Sequence, residues 1–356
     1  MTVYLINILL IVFFAFFLLW YNPTQTKKKL FCILIAIQWI LISGLRHIDI
    51  GPDTDQYLYR FNEVKYTSWE QLIRSLFGFI FGGEDVKDPG YSLFVKVVQL
   101  LITDYQLYLI LVAMIFTIPL AIYIYKYSSD PFLSFILYSC LFYSFFSITG
   151  IRQTIATAIG VFLGYKFIKQ RSLIKFLLTV GLSALFHKSA LILIPFYFIA
   201  NKKITWKYLV SISLLIPISW LFKGQILTIM AEISGYNGYD MQLEGAGAKT
   251  FSFLLLAVLT VALWRMPIIL KNNNNNSHNL NALFIAVIFV SFTFINQNAM
   301  RLVQYYSIFL LLLLPEITKS FSEEDRNLGF LIKYIITIVL IALLIKNSPY
   351  YLFYWQ

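Results

Sequence analysis

The chain has 356 residues, of which 59% are apolar and only 13% charged, and its formal net charge is +11. A soluble domain carries about 25% charged residues, so a soluble enzyme or binding module is excluded. The composition fits an all-α, polytopic integral membrane protein, with residues 1–356 forming one transmembrane domain.

Runs of about 17–25 apolar residues, each able to cross the bilayer as a helix, recur along the whole chain. The first, Val3 to Trp20, lacks a basic region before it and a small-residue cleavage site after it. It reads as a retained span rather than a signal peptide. Further spans are predicted near 30–44, 105–125, 131–148, 150–168, 173–186, 189–200, 204–222, 251–270, 280–296, 299–318 and 328–345, about twelve in all. The pair 173–186 and 189–200 is short and reads as two half-depth helices meeting at His187. The stretches 69–82 and 91–102 are apolar but too short to cross unaided, so they are predicted to be interfacial or re-entrant. Cys32 and Cys140 both fall in apolar spans, and the sequence has no CxxC, HExxH or GxxxxGK[ST] motif. No metal site, no P-loop and no cofactor is therefore expected.

Lysine and arginine set the orientation. With Lys27, Lys28 and Lys29 placed in the cytoplasm, Lys126 and the later clusters Lys166–Lys175, Lys202–Lys207, Arg265–Lys271 and Lys319–Lys333 fall on the same side. That side then holds 16 basic and 5 acidic residues, against 12 of each outside. The excess charge faces anionic lipid headgroups, and no nucleic-acid partner is needed to explain it. Two external segments are long, 45–104 and 223–250. The internal loops are short, and one of them, 271–279, carries five consecutive asparagines and reads as a solvated, disordered linker.

Ionisable groups at membrane depth cost about 2.5–3.5 kcal/mol at a helix centre, so they need a reason. Here they gather on the outer side: Arg46 and His47, Asp49, Asp53, Asp55, Asp88, Arg152, His187 with Lys188, and Arg301. Each has an ordinary alternative. Arg46, Arg60 and Lys188 can snorkel to the interface, the aspartates after Pro52 can begin a helix, and His187 can be a hydrogen-bonded structural residue. The coincidence is what counts, because arginines, a histidine and carboxylates converge from segments far apart. If 53–62 is helical, Asp53 and Tyr57 are i,i+4 neighbours, as are Arg301 and Tyr305. Arginine offers bidentate donors to a phosphate, and a neighbouring carboxylate or imidazole can act as a general base.

At these residues the sequence resembles the EpsG-type branch of the Wzy polysaccharide polymerases. Arg46 followed by Gly51-Pro52-Asp53-Thr54-Asp55-Gln56-Tyr57 is similar to the family's Arg…Gly-x-Asp-x-x-x-Tyr element. Asp88-Pro89-Gly90-Tyr91, Ile151-Arg152-Gln153-Thr154-Ile155-Ala156, Phe186-His187-Lys188-Ser189-Ala190 and Arg301-Leu302-Val303-Gln304-Tyr305 resemble the next four in order. The resemblance spans residues 40 to 320.

It implies that two oligosaccharide repeats, each on a polyprenyl pyrophosphate, meet at the outer face of a bacterial inner membrane. A hydroxyl of one attacks the anomeric carbon of the other, with inversion, and polyprenyl pyrophosphate leaves; since the sequence shows no metal cage, the reaction is expected to need no metal. Arg152 and Arg301, with Arg46 as a third, would hold the pyrophosphate. Asp53 or His187 would be the base. Asp55, Tyr57, Asp88, Tyr91, Gln153 and Tyr305 would bind or orient substrate. A chain-length regulator is a possible partner beside membrane lipid. The rival classes are an O-antigen ligase with the same donor, a flippase or transporter for lipid-linked oligosaccharide, and a non-catalytic scaffold. A transporter would show inverted repeats and a polar path open to both sides, whereas this polar set is one-sided.

Overall fold

The computed structural model describes residues 1–21, 23–82, 86–234, 248–273, 275–347 and 349–356. Among them every regular element is a helix, and the β-type pairing present is an isolated bridge between Arg46 and Phe353. Five helices are long and apolar enough to cross a membrane: Thr2–Trp20, Tyr105–Tyr127, Lys249–Asn272, Asn276–Phe294 and Arg326–Asn347. Counting each of three bent helix pairs as one span gives up to eight.

The bends have local causes. Helix α7 (Pro131–Cys140) and α8 (Phe142–Thr149) meet at 64° where Leu141 is extended. The Ser144 hydroxyl donates to the Ser139 and Leu141 carbonyls, at 3.3 Å each, and takes up acceptors the break leaves open. Helices α11 (Leu173–Phe186) and α12 (Ile194–Ala200) are short and separated by His187 and a 3₁₀ turn over Lys188–Leu193, so the expected break at His187 is present.

The chain divides into two compact units, Met1–Leu191 with Phe330–Gln356, and Ile192–Gly329. In the first, the segment 45–104 folds into three helices, α3 (Thr54–Tyr66), α4 (Trp69–Phe77) and α5 (Pro89–Val98). Their apolar faces pack into one core with α6 (Tyr105–Tyr127) and α9 (Ile151–Thr157), through Tyr57, Phe61, Leu72, Tyr91, Tyr108 and Ile151. Helix α2 (Gln25–Gly44) begins at a Thr24 cap, with Lys27–Lys29 in its first turns, and ends just before Arg46.

In the second unit, α13 (Trp206–Leu221) and α14 (Lys223–Ser234) bend by 87°. The rest of the expected external loop, residues 235–247, lies outside the described residues. Helices α15 (Lys249–Asn272), α16 (Asn276–Val290), α17 (Met300–Ser307) and α18 (Leu310–Ser322) complete the unit. The asparagine run differs from the expected solvated linker. Helix α16 starts within it, and Asn276, Asn279 and Asn281 are buried. Asn276 Nδ2 donates to Glu316 Oε2 at 3.1 Å and to the Ile269 carbonyl at 2.8 Å. Asn281 Nδ2 donates to the carbonyls of Ile199, Ala200 and Lys202. Composition marks asparagine as a linker residue, but its side-chain amide also closes the open carbonyls of neighbouring helix ends.

Candidate functional site

The site forms around Asp88. This residue sits in the left-handed region (φ 53°, ψ 57°) as the N-cap of α5, a conformation Asp and Asn adopt more readily than most residues. Next to it, Gly90 lies so near α11 that a Cβ there would stand 2.6 Å from the Leu185 side chain and 2.8 Å from its carbonyl oxygen. Only glycine permits this approach, and the approach brings the Lys188 backbone N–H to 3.2 Å from Asp88 Oδ1.

The other carboxylate oxygen of Asp88 accepts from Arg152 Nη1 at 2.6 Å, with both side chains largely buried. Arg152 also lies over the Tyr57 ring, 5.8 Å from its centroid. Tyr57 packs edge-on against Tyr91 at 5.7 Å, and the Tyr91 and Tyr108 hydroxyls pair at 2.9 Å. Arg152 is thus gripped on one edge while its Nε, although buried, makes no hydrogen bond.

Burial pushes the Asp88 carboxyl up from the ordinary carboxylate range. The Arg152 guanidinium, the Lys188 N–H and the charges of Lys87 and Arg60 pull it back without cancelling that shift. Arg60, read from sequence as a snorkelling residue, therefore belongs to the electrostatics of the site. Its position one turn from Tyr57 on α3 was the available signal.

One motif glycine, Gly51, sets how α3 approaches this cluster. Gly51 has φ +96°, and a Cβ on it would stand 2.4 Å from Thr149 Cγ2, at the end of α8. The Gly51-Pro52 turn thus sits on the junction from which α9 carries Arg152. Helix α3 starts after Asp53, as its spacing implied, with the Tyr57 N–H donating to the Asp53 carbonyl at 3.1 Å. The Asp53 side chain is half-buried and makes no capping bond. Asp55 is exposed and, with Gln56, Tyr59, Arg60 and Glu63, lines an open cleft of about 390 Å³.

His187 is buried where α11 ends. Its Nδ1 faces the Ser189 hydroxyl at 2.9 Å and the Ser189 backbone N–H at 3.4 Å. A backbone N–H can only donate, so Nδ1 is the acceptor and the neutral ring carries its proton on Nε2.

The structure brings Tyr57, Asp88, Tyr91, Arg152 and the His187 turn together in the first unit. Gln153 is buried beside Arg152 on α9. Arg46 is buried too, and is bound through its own surroundings rather than through Asp88. Arg301 and Tyr305 lie on α17 of the second unit, half-buried and fully buried. Among the described residues no group of three His, Cys, Asp or Glu side chains could hold a metal ion.

A chain that is helical throughout its described residues, with several apolar spans and a partly buried Arg152–Asp88 pair among them, is a multi-pass membrane protein. The chain belongs to the EpsG family, a Wzy-like polymerase family whose sequence model matches residues 28–355. No curated protein and no solved structure matches it.

Proposed function

We propose that the protein is a polysaccharide polymerase that joins oligosaccharide repeats carried on polyprenyl pyrophosphate, at the outer face of a bacterial inner membrane. The observation that carries this reading is Arg152. It is fixed by Asp88 and Tyr57, yet keeps a buried Nε donor unused. A guanidinium fixed in this way needs no reorganisation to meet the charge that develops on a leaving pyrophosphate. Preorganised donors of this kind are worth roughly 3–4 kcal/mol each. Arg301 is assigned the same chemistry through the family resemblance of its motif.

In the reaction, a sugar hydroxyl oxygen of one repeat bonds to the anomeric carbon of the other. The bond from that carbon to the pyrophosphate oxygen breaks, and the pyrophosphate leaves with the electron pair. The hydroxyl proton passes to Asp53. With its Nδ1 occupied by Ser189, His187 is better suited to donate from Nε2 than to accept a proton. The reading places the Asp55–Glu63 cleft on the sugar side, where carboxylates, an amide and the Tyr59 ring suit a glycan. Inversion at the anomeric carbon follows from a single displacement.

A ligase with the same donor is the second reading. The polysaccharide ladder of a deletion strain separates the two. Loss of polymer with a single repeat retained supports the polymerase, whereas loss of every repeat supports a ligase or flippase.

A further inference from the structure

Arg46 is 1% exposed, and no carboxylate forms an ion pair with it among the described residues. Its Nη1 donates to the Ser43 carbonyl, while Nε and Nη2 are buried with no hydrogen-bond partner. Those two atoms form the side-on fork of a guanidinium, which matches two oxygens of one phosphate. Leaving both donors and the charge unmet in a buried site is strongly unfavourable, so the site is built for a counter-charge. The titratable side chains that bear on it are neutral tyrosines: Tyr4, Tyr105, Tyr108 and Tyr351.

Residues 349–356 pair with the backbone around Arg46. Phe353 bridges to Arg46, flanked by the His47 N–H on the Leu352 carbonyl and the Tyr354 N–H on the Leu45 carbonyl, both 2.9 Å. The Tyr351 hydroxyl donates to the Ile42 carbonyl at 2.8 Å. These are three hydrogen bonds on a segment with no helix or sheet of its own. Only Tyr351 of residues 349–356 is buried, its ring edge-on to Tyr4, so opening the strap breaks these bonds and uncovers one ring.

We propose that Arg46 is a phosphate-binding site closed by this C-terminal strap, and that lifting the strap lets the Nε/Nη2 fork take one phosphate group, either free or on a lipid. The proposed function enters only in saying which phosphate the cell supplies. The test uses neither glycan nor turnover, so either reading can fail without the other.

The experiment measures binding to the full chain in phosphate-free detergent, with inorganic phosphate and geranylgeranyl phosphate as separate probes. Tyr351→Phe loosens the strap and should tighten binding several-fold, because a closed lid lowers apparent affinity in proportion to the open fraction. A Leu45→Cys/Tyr354→Cys disulfide locks the strap and should weaken binding at least tenfold, reversibly on reduction; Cys32 and Cys140 are buried and do not compete. Arg46→Gln should abolish binding. Arg46→Lys, which keeps the charge without the fork, serves if the glutamine variant does not fold. Binding of both probes means a phosphate suffices, and binding of the lipid probe alone means a lipid headgroup is required. Absence of binding by either probe, or binding indifferent to both the lock and the Arg46 substitutions, overturns the proposal.

Discussion

Replacing Asp88 by asparagine separates the charge of the central pair from its shape. Asparagine tolerates the left-handed backbone at this position (φ 53°), and its Oδ1 can still accept the Lys188 N–H. Alanine would add roughly 1–2 kcal/mol of backbone strain and blur the result. What asparagine removes is the ionic half of the 2.6 Å bond to Arg152, in a pair whose side chains are 13% and 6% exposed. A hydrogen bond to a charged group is worth about 1.5–3 kcal/mol and a neutral one about 0.5–1.5, but burial already disfavours the ionised carboxylate, so stability at neutral pH should change by less than about 1 kcal/mol. Activity should fall further, about tenfold or more, because Arg152 loses the partner that orients it toward the phosphate. The assay is polymer formation from purified lipid-linked repeats, run as a double-mutant cycle with Arg152→Gln. Once Arg152 is gone, Asp88→Asn should cost little more. Independent, additive losses would refute the coupling. The pH profile adds a sign. Asp88 lies above the ordinary carboxylate range in the folded protein, so activity that needs the ionised pair is lost as pH falls through that raised value. Its contribution to stability runs the other way, present at low pH and lost as pH rises. Asp88→Asn should flatten both slopes.

Gly90→Ala should destabilise by about 1–3 kcal/mol through overpacking against Leu185, and should reduce polymer formation by moving Lys188 off Asp88; a thermal shift close to wild type would contradict it. Within the asparagine run, Asn276→Ala should cost about 1–3 kcal/mol by stripping buried Glu316 of its donor. The exposed Asn273→Ala should stay within about 0.5 kcal/mol, and equal thermal shifts would disprove the distinction. For sidedness, Tyr66 is 85% exposed, and a Tyr66→Cys variant should react with an impermeant maleimide from the external side. Labelling only from the cytoplasm would reverse the orientation. For the base, Asp53→Asn should abolish polymerisation while His187→Ala only slows it. A dead His187 variant beside an active Asp53→Asn would move the base to His187.

Local periodicity carried the reading where an element is built from its own residues. The start of α3 just after Asp53 and the break at His187 both follow from helix-end chemistry. Spans were less legible, because hydropathy adds up composition and cannot see a dihedral. Residues 131–148 read as one apolar run, yet Leu141 turns the chain by 64° with neither proline nor glycine at the break. The Asp88–Arg152 pair joins positions 64 residues apart. Motif order hinted that both matter but not that they touch. Residues 349–356 gave no periodic signal at all, because what holds them is hydrogen bonding to Ile42, Leu45 and His47 at the other end of the chain.

The buried arginines show why satisfaction, rather than burial, points to function. Arg265 donates to Ser320 Oγ, the Ser320 carbonyl and Glu324, and lies 4.4 Å from the Phe321 ring centroid. Its guanidinium is fully used, and a ligand would have to displace protein partners to reach it. Arg152 is paired with Asp88 but keeps Nε unused. Arg46 has a single carbonyl partner and an empty fork. An unmet buried donor costs about 1–3 kcal/mol, and more when charged, so a fold that only needed positive charge for stability would complete each set as it does at Arg265. The incomplete sets both lie in the first unit, where the proposed function would bring a phosphate. A guanidinium left short of partners binds an arriving anion without first breaking its own bonds, which is the condition for stabilising charge at the moment a pyrophosphate departs.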